Sequence, residues 1–259
     1  MSELRNYQSR MGQSGAQSAT MIDEGLRSYM LKVYNLMALG LAITGIAAYV
    51  TFMMATTTDP SAAAVQLGNG TMLTSLGAAL YQSPLQWVVI FAPVALVFFM
   101  SFKIQSMSVS AAQTTFWVYA ALMGLSLSSI FLIYTGASIV QTFFVTAASF
   151  GALSLFGYTT KRDLSAMGSF LVMGLFGLII ASLVNIFLAS SALDFAISAI
   201  GVLIFAGLTA YDTQNIKESY YEADGADVAS RKAIMGALQL YLDFINLFLF
   251  LLRFMGNRD

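Results

Sequence analysis

The stretch 233-AIMGALQLYLDFINLFLFLLRF-254 decides how the chain is read. It is apolar and long enough to cross about 30 Å of hydrocarbon as a helix, for which about 20 residues suffice. Asp243 nevertheless sits near its middle. A carboxylate at that depth costs roughly 2.5–3.5 kcal/mol on insertion scales, and such residues face a bundle interior or a water-filled path rather than lipid. Gln239, Asp243 and Asn246 follow one another at i, i+4 and i+7, so they share one face of the helix while Leu, Phe and Ile fill the rest.

The remainder of the chain has the same character. Its 259 residues are 58% hydrophobic and 10% charged, with a mean hydropathy of +0.75. A soluble domain carries about 25% charged residues. Apolar runs fall at 33–54, 86–103, 115–134, 139–158, 165–188, 193–215 and 233–254. The expected fold is therefore an all-α polytopic membrane protein of seven transmembrane helices over 27–259. It follows a polar Gly/Ser/Gln-rich stretch, 1–26, that reads as a disordered cytoplasmic tail and not as a signal peptide. The connections after the third, fourth and fifth spans are short, which makes those neighbours antiparallel hairpins. The long connection, 55–85, carries the turn signals Asp59-Pro60 and Asn69-Gly70, and Asn69-Gly70-Thr71 also matches a glycosylation sequon.

Lys and Arg favour cytoplasmic loops. With the N-terminus inside, Arg5, Arg10, Arg27, Lys32, Lys103, Lys161, Arg162, Lys217, Arg231 and Lys232 all lie on the cytoplasmic side. Arg253 and Arg258 alone fall outside, which leaves open a short or re-entrant last helix. The glycines within the spans, among them Gly45, Gly124, Gly151, Gly177 and Gly207, are expected to let helices approach closely.

Several chemistries drop out at once. The chain has no His and no Cys, so disulfides, His- or Cys-ligated metals, and Ser-His-Asp or Cys-His catalysis are impossible. A net charge of −1 with no basic stripe argues against nucleic acid. What remains is a pair of intramembrane acids, Asp243 and Asp212, the latter in 207-GLTAYDTQNIKE-218 with Thr209 and Thr213 within a turn of it. The sixth and seventh spans run antiparallel, so the two acids are expected to face each other, with Gln239, Asn246, Thr209 and Thr213 as supporting groups. Such a pair titrates as one coupled unit. Its oxygens, with backbone carbonyls and amides, suit a hard cation such as Ca²⁺, weakly held because only two carboxylates contribute. The alternative that the pair merely locks two helices together by hydrogen bonding stays open here.

The segments 238-LQLYLDFINLFLFLLRFMG-256, 209-TAYDTQNIKE-218 and 159-TTKRDLSAMGSF-170 resemble the Bax inhibitor-1 family, specifically its bacterial members. The resemblance covers the seven-span layout from about residue 27 onward. It implies a fold whose seventh helix is central and ringed by the other six, and a pH-sensitive Ca²⁺ leak through the bacterial inner membrane. It also implies that Asp212 and Asp243 are the family's paired aspartates, serving as proton sensor and weak calcium site. A basic latch at the end of the second span corresponds to 98-FFMSFKIQSM-107, which offers Lys103 in place of an Arg-rich cluster. Lys cannot reproduce a bidentate Arg–carboxylate contact.

The expected function is thus a non-enzymatic cation leak channel. Its partners are the bilayer, calcium and protons, and it has no tightly bound cofactor. A second reading makes the chain a regulator of a protease or stress pathway through a membrane-protein partner. A third, an intramembrane aspartyl protease, also uses two membrane aspartates. That class carries Gly-x-Gly-Asp at the second acid and a Pro-Ala-Leu motif, whereas this chain has Tyr-Leu-Asp-Phe, and Ser, Leu and Val after its three prolines.

Overall fold

The structure, a computed structural model, describes residues 2–68 and 70–257, with side chains from residue 24 onward. The tail expected over 1–26 and the sequon at Asn69 fall largely or wholly outside the residues whose side chains are described.

Seven helices among the described residues are long and apolar enough to span a membrane. The first, α1 (Ser2–Ala55), does so over Glu24–Ala55. A short helix, α2 (Ser75–Gln82), precedes α3 (Leu85–Lys103), α4 (Val109–Leu127), α5 (Gly136–Thr159), α6 (Ser165–Leu188), α7 (Ser191–Glu218) and α8 (Ala226–Met255). Tight connections are ended by hydroxyl caps. Ser108, Thr135 and Ser190 accept from the backbone N–H groups of Ala111, Ser138 and Leu193, satisfying donors that the first helical turn leaves unpaired.

The apolar-run reading misplaces some ends. α4 starts at Val109 rather than 115 because its first turns are polar, and α8 starts at Ala226 rather than 233 because Arg231 and Lys232 lie inside its amphipathic opening turns. At its far end α4 tightens into a 3₁₀ segment, Ser128–Leu132. There the Ser128 and Ser129 hydroxyls donate to the carbonyls of Leu125 and Ser126, three residues back, which suits the tighter winding.

The long connection folds into three two-residue antiparallel strands, β1 (Thr56–Thr57), β2 (Val65–Gln66) and β3 (Met72–Leu73), in the order β1-β3-β2. Asp59 opens its first turn by accepting from the Ser61 N–H (2.8 Å) and hydroxyl (2.7 Å). These two bonds stabilise the carboxylate and hold the Asp59 pKa below its ordinary value. Gly70 takes the positive φ (88°) of the second turn.

α8 is the most interior span: 61% of its most apolar stretch is buried, against 6% for α6. It packs on α1, α4, α5 and α7, whereas α3 packs chiefly on α4 and α6 on α7. α8 is therefore the core helix, with α1, α4, α5 and α7 as its main neighbours and α3 and α6 lying farther out. The exposed faces of α3, α5 and α6 carry large apolar side chains such as Phe102, Phe144, Phe176 and Phe187, as a lipid-facing surface requires.

The two ends of the bundle differ in charge. Arg27, Lys32, Lys103, Lys161, Arg162, Lys217, Arg231 and Lys232 collect at the end where α1 enters and the α7–α8 connection lies. That end is tied together by Tyr29 Oη to Ser219 Oγ (3.2 Å), by Lys32 Nζ donating to Ser230 Oγ (2.8 Å) and by Lys217 Nζ donating to the Tyr158 carbonyl (2.9 Å). At the opposite end Arg253 is ion-paired with Asp194. The C-terminal segment docks there too. The Asn257 carbonyl accepts from Thr135 N–H (3.1 Å), and its own N–H donates to Ser138 Oγ (2.9 Å). The last helix is thus a full span and not re-entrant, and its one described basic residue at that end is neutralised by a partner.

Candidate functional site

α7 and α8 pack along their length, and the Ile216 side chain sits where a Cβ on Gly236 would point, which sets their register. From that level Asp243 lies seven residues farther along α8, about 10 Å, and Asp212 four residues back along α7, about 6 Å, at 1.5 Å per residue. Because the helices are antiparallel, both displacements run the same way into the bundle. There the two carboxyl groups come close enough to interact, and the Gln239 side chain is a further polar neighbour of Asp212. The two depths differ by about 4 Å; α8 begins earlier than expected and its first turns extend past the end of α7.

Both acids are closed off from solvent, Asp212 at 7% and Asp243 at 4% exposure. Ionised carboxylates only accept hydrogen bonds, so contact between two of them is a bond only when one carries a proton. Among the described residues, Asp243 Oδ2 is buried and meets no hydrogen-bond donor. An acceptor of this kind is costly to bury unless the neighbouring carboxyl group supplies a proton to it.

The other expected supporting groups turn elsewhere. The Thr209 and Thr213 hydroxyls donate to the carbonyls of Phe205 and Thr209 (both 2.7 Å), and the Asn246 amide donates to the Leu242 carbonyl (2.8 Å). Only Gln239 of that group joins the aspartates. Lys103 is exposed at the end of α3 and makes no ion pair among the described residues. Among the described residues the aspartates neighbour each other and Gln239, and neither forms an ion pair.

Two polar connections flank the pair that spacing along the chain does not reveal. Tyr34 Oη on α1 bonds Ser154 Oγ on α5 (2.6 Å), and Ser154 bonds Thr213 Oγ1 on α7 (2.9 Å), beside Asp212. On the other side, Thr44 Oγ1 donates toward the carbonyls of Gly40 (3.0 Å) and Ala120 (2.9 Å) and lies 2.6 Å from Tyr241 Oη. With the single Thr44 proton directed to those carbonyls, Tyr241 is the donor in that last bond. Each group has an unremarkable neighbourhood in sequence; the partner is on another helix.

The family model described as "Inhibitor of apoptosis-promoting Bax1" matches residues 26–259, which include every residue of this site. The chain belongs to the Bax inhibitor-1 family. Among similar proteins, an uncharacterized protein of Rickettsia prowazekii (strain Madrid E) is 52% identical over 238 residues, covering 91% of this chain and 92% of its own length. The inner membrane protein YbhL of Escherichia coli (strain K12) is 48% identical over 236 residues, covering 90% and 93%. An uncharacterized membrane protein of Streptococcus pyogenes serotype M3 is 37% identical over 240 residues, covering 93% and 97%. The Bax inhibitor-1 family assignment and the seven apolar spans together make this chain a multi-pass membrane protein.

Proposed function

We propose that the protein is a cation leak pathway, for calcium in the first place, of a bacterial inner membrane, with its N-terminus in the cytoplasm and the Asp212–Asp243 pair as proton-sensitive seal and cation site. The observation that carries this reading is the buried contact between the two carboxyl groups, where Asp243 Oδ2 meets no hydrogen-bond donor among the described residues. With one proton, the pair forms a charge-assisted hydrogen bond that clamps α7 to α8. Loss of that proton puts two like charges in contact at low dielectric, and gain of a second removes the charge that strengthens the bond. Either change loosens the seal. The pair is thus tightest in its singly protonated state.

The donor set suits passage better than storage. No group of three or more acidic residues that could cage a metal occurs among the described residues. Two carboxyl groups and the Gln239 amide fall short of the six to eight oxygens that hold Ca²⁺ tightly. The inner-membrane assignment is supported by the printed description of the Escherichia coli relative and by the one-sided distribution of Lys and Arg. The test is Ca²⁺ entry into proteoliposomes holding the purified protein. Wild type should leak above empty vesicles, and Asp243→Asn should alter the rate several-fold. Equal leak in protein-bearing and empty vesicles would refute the reading.

A further inference from the structure

α1 packs chiefly on α4 and α8, and α5 on α7 and α8. Between α1 and α5 this leaves a lateral cleft. Three adjoining hollows fill it, of about 570, 560 and 310 Å³. The first two share Met37 and Phe150, and the last two share Gly45 and Phe244, so the cleft is continuous, with Phe244 of α8 lining its inner part. Among the described residues, the Tyr34–Ser154 bond is the one side-chain hydrogen bond that crosses it.

The charged mouth and the apolar interior of the cleft are segregated. Arg27 lines the mouth, is exposed, and has no ion-pair partner among the described residues; Glu24, one turn earlier, does not pair with it. Lys217, on α7, is not among the lining residues, and its Nζ donates to the carbonyl of Tyr158, which does line the mouth (2.9 Å). Beyond the mouth the walls are apolar, from Met30 through Met37 and Phe150 to Phe244. Arg27 to Met37 is ten residues of helix, about 15 Å at 1.5 Å per residue, which matches one leaflet of a hydrocarbon core about 30 Å thick. A cation without an ion-pair partner among the described residues, at the mouth of an apolar slot one leaflet deep, complements one class of ligand. Basic pockets between membrane helices take anionic lipid headgroups in this way.

We propose that the α1–α5 cleft is a binding site for an anionic phospholipid of the surrounding bilayer, with the phosphate at Arg27 and an acyl chain laid along Met37 and Phe150. The proposal does not depend on the leak reading.

Gly151 lines the cleft and has nothing within 4 Å of where a Cβ would stand, so Gly151→Leu projects a side chain into the slot from an uncrowded Cβ. Gly177, on α6, has the same open surroundings away from the cleft and serves as control. The full-length protein in mild detergent is offered phosphatidylglycerol or phosphatidylcholine, and retained lipid is counted by native mass spectrometry. Wild type and Gly177→Leu should retain one phosphatidylglycerol in preference to phosphatidylcholine. Gly151→Leu should lose it. Arg27→Gln, an exposed change that breaks no bond in the fold, should cut the preference about five-fold, the worth of one basic residue near an anionic headgroup. Undiminished retention in Gly151→Leu, or equal retention of the two lipids by wild type, would overturn the proposal.

Discussion

The Tyr241 hydroxyl reaches across from α8 to bond Thr44 on α1 at 2.6 Å, two residues before Asp243 and with no exposure to solvent. Its ring meets Phe116 and Tyr119 of α4 edge-on, with centroids 5.8 and 5.6 Å away. One side chain thus fixes α8 against two helices on the side away from α7. Tyr241→Phe should cost about 1 kcal/mol, within the range of interhelical hydrogen bonds in membranes. Tyr241→Ala, which also removes the ring, should cost about 3–5 kcal/mol. Unfolding of both variants in detergent measures the difference.

α5 approaches α7 closely at Gly157, where a Cβ would run into the Ala210 carbonyl oxygen, one turn from the acid pair. Backbone cannot swing aside as a side chain can. Gly157→Ala should destabilise the protein by about 1–3 kcal/mol. Gly177→Ala, which meets nothing within 4 Å, should be neutral or stabilising by up to about 1 kcal/mol. Parallel thermal unfolding of the two variants distinguishes a packing glycine from a lipid-facing one that the sequence alone cannot tell apart.

The loop between α5 and α6 is held from within. Gln214, on α7, accepts from the buried Leu164 N–H (2.9 Å) and donates to the Arg162 carbonyl (2.8 Å). Gln214→Leu leaves both backbone groups without those partners and should cost about 1–3 kcal/mol. Faster proteolysis at 160–164 in this variant, with the rest of the chain protected, is the expected signature.

The two ends of α8 lie on opposite faces of the bundle. The chain has no Cys, so single cysteines report cleanly. Gly225→Cys, in open space at the start of α8, should react with a membrane-impermeant thiol reagent from the same side as the other basic residues. Asn257→Cys should react only from the other side. Labelling of both from one side would contradict the full span.

Spans and acids were legible in the sequence because lipid imposes a strong signal: long apolar runs, and few places for charge. The run 165–188 coincides with α6 residue for residue, since nothing polar blurs its ends. Legibility fails where a helix leaves the lipid. The amphipathic opening of α8 at Ala226–Lys232 does not read as a span, although it belongs to the same continuous helix as Asp243. Spacing placed Asn246 on the face of Asp243, yet its amide bonds its own helix, as membrane-buried polar groups readily do. Thr44, Ser154 and Tyr34 escaped notice because a hydroxyl's partner on another helix depends on rotation and register, which periodicity does not encode. The fold of the 55–85 connection was hidden for a related reason: its strands are two residues long, too short for an alternating pattern.

The most direct measurement is the pH profile of Ca²⁺ flux through the purified protein in proteoliposomes, for wild type beside Asp212→Asn and Asp243→Asn. A seal made of one proton shared by two carboxyl groups gives wild-type flux a minimum, in the interval where the pair holds a single proton. On the acid side the pair gains its second proton and on the alkaline side it loses its only one, and flux rises in both directions. Each Asn variant, with one titrating carboxyl left, should lose that minimum. A wild-type profile with no pH dependence, or a minimum that survives in both variants, would show that the Asp212–Asp243 contact is not the seal.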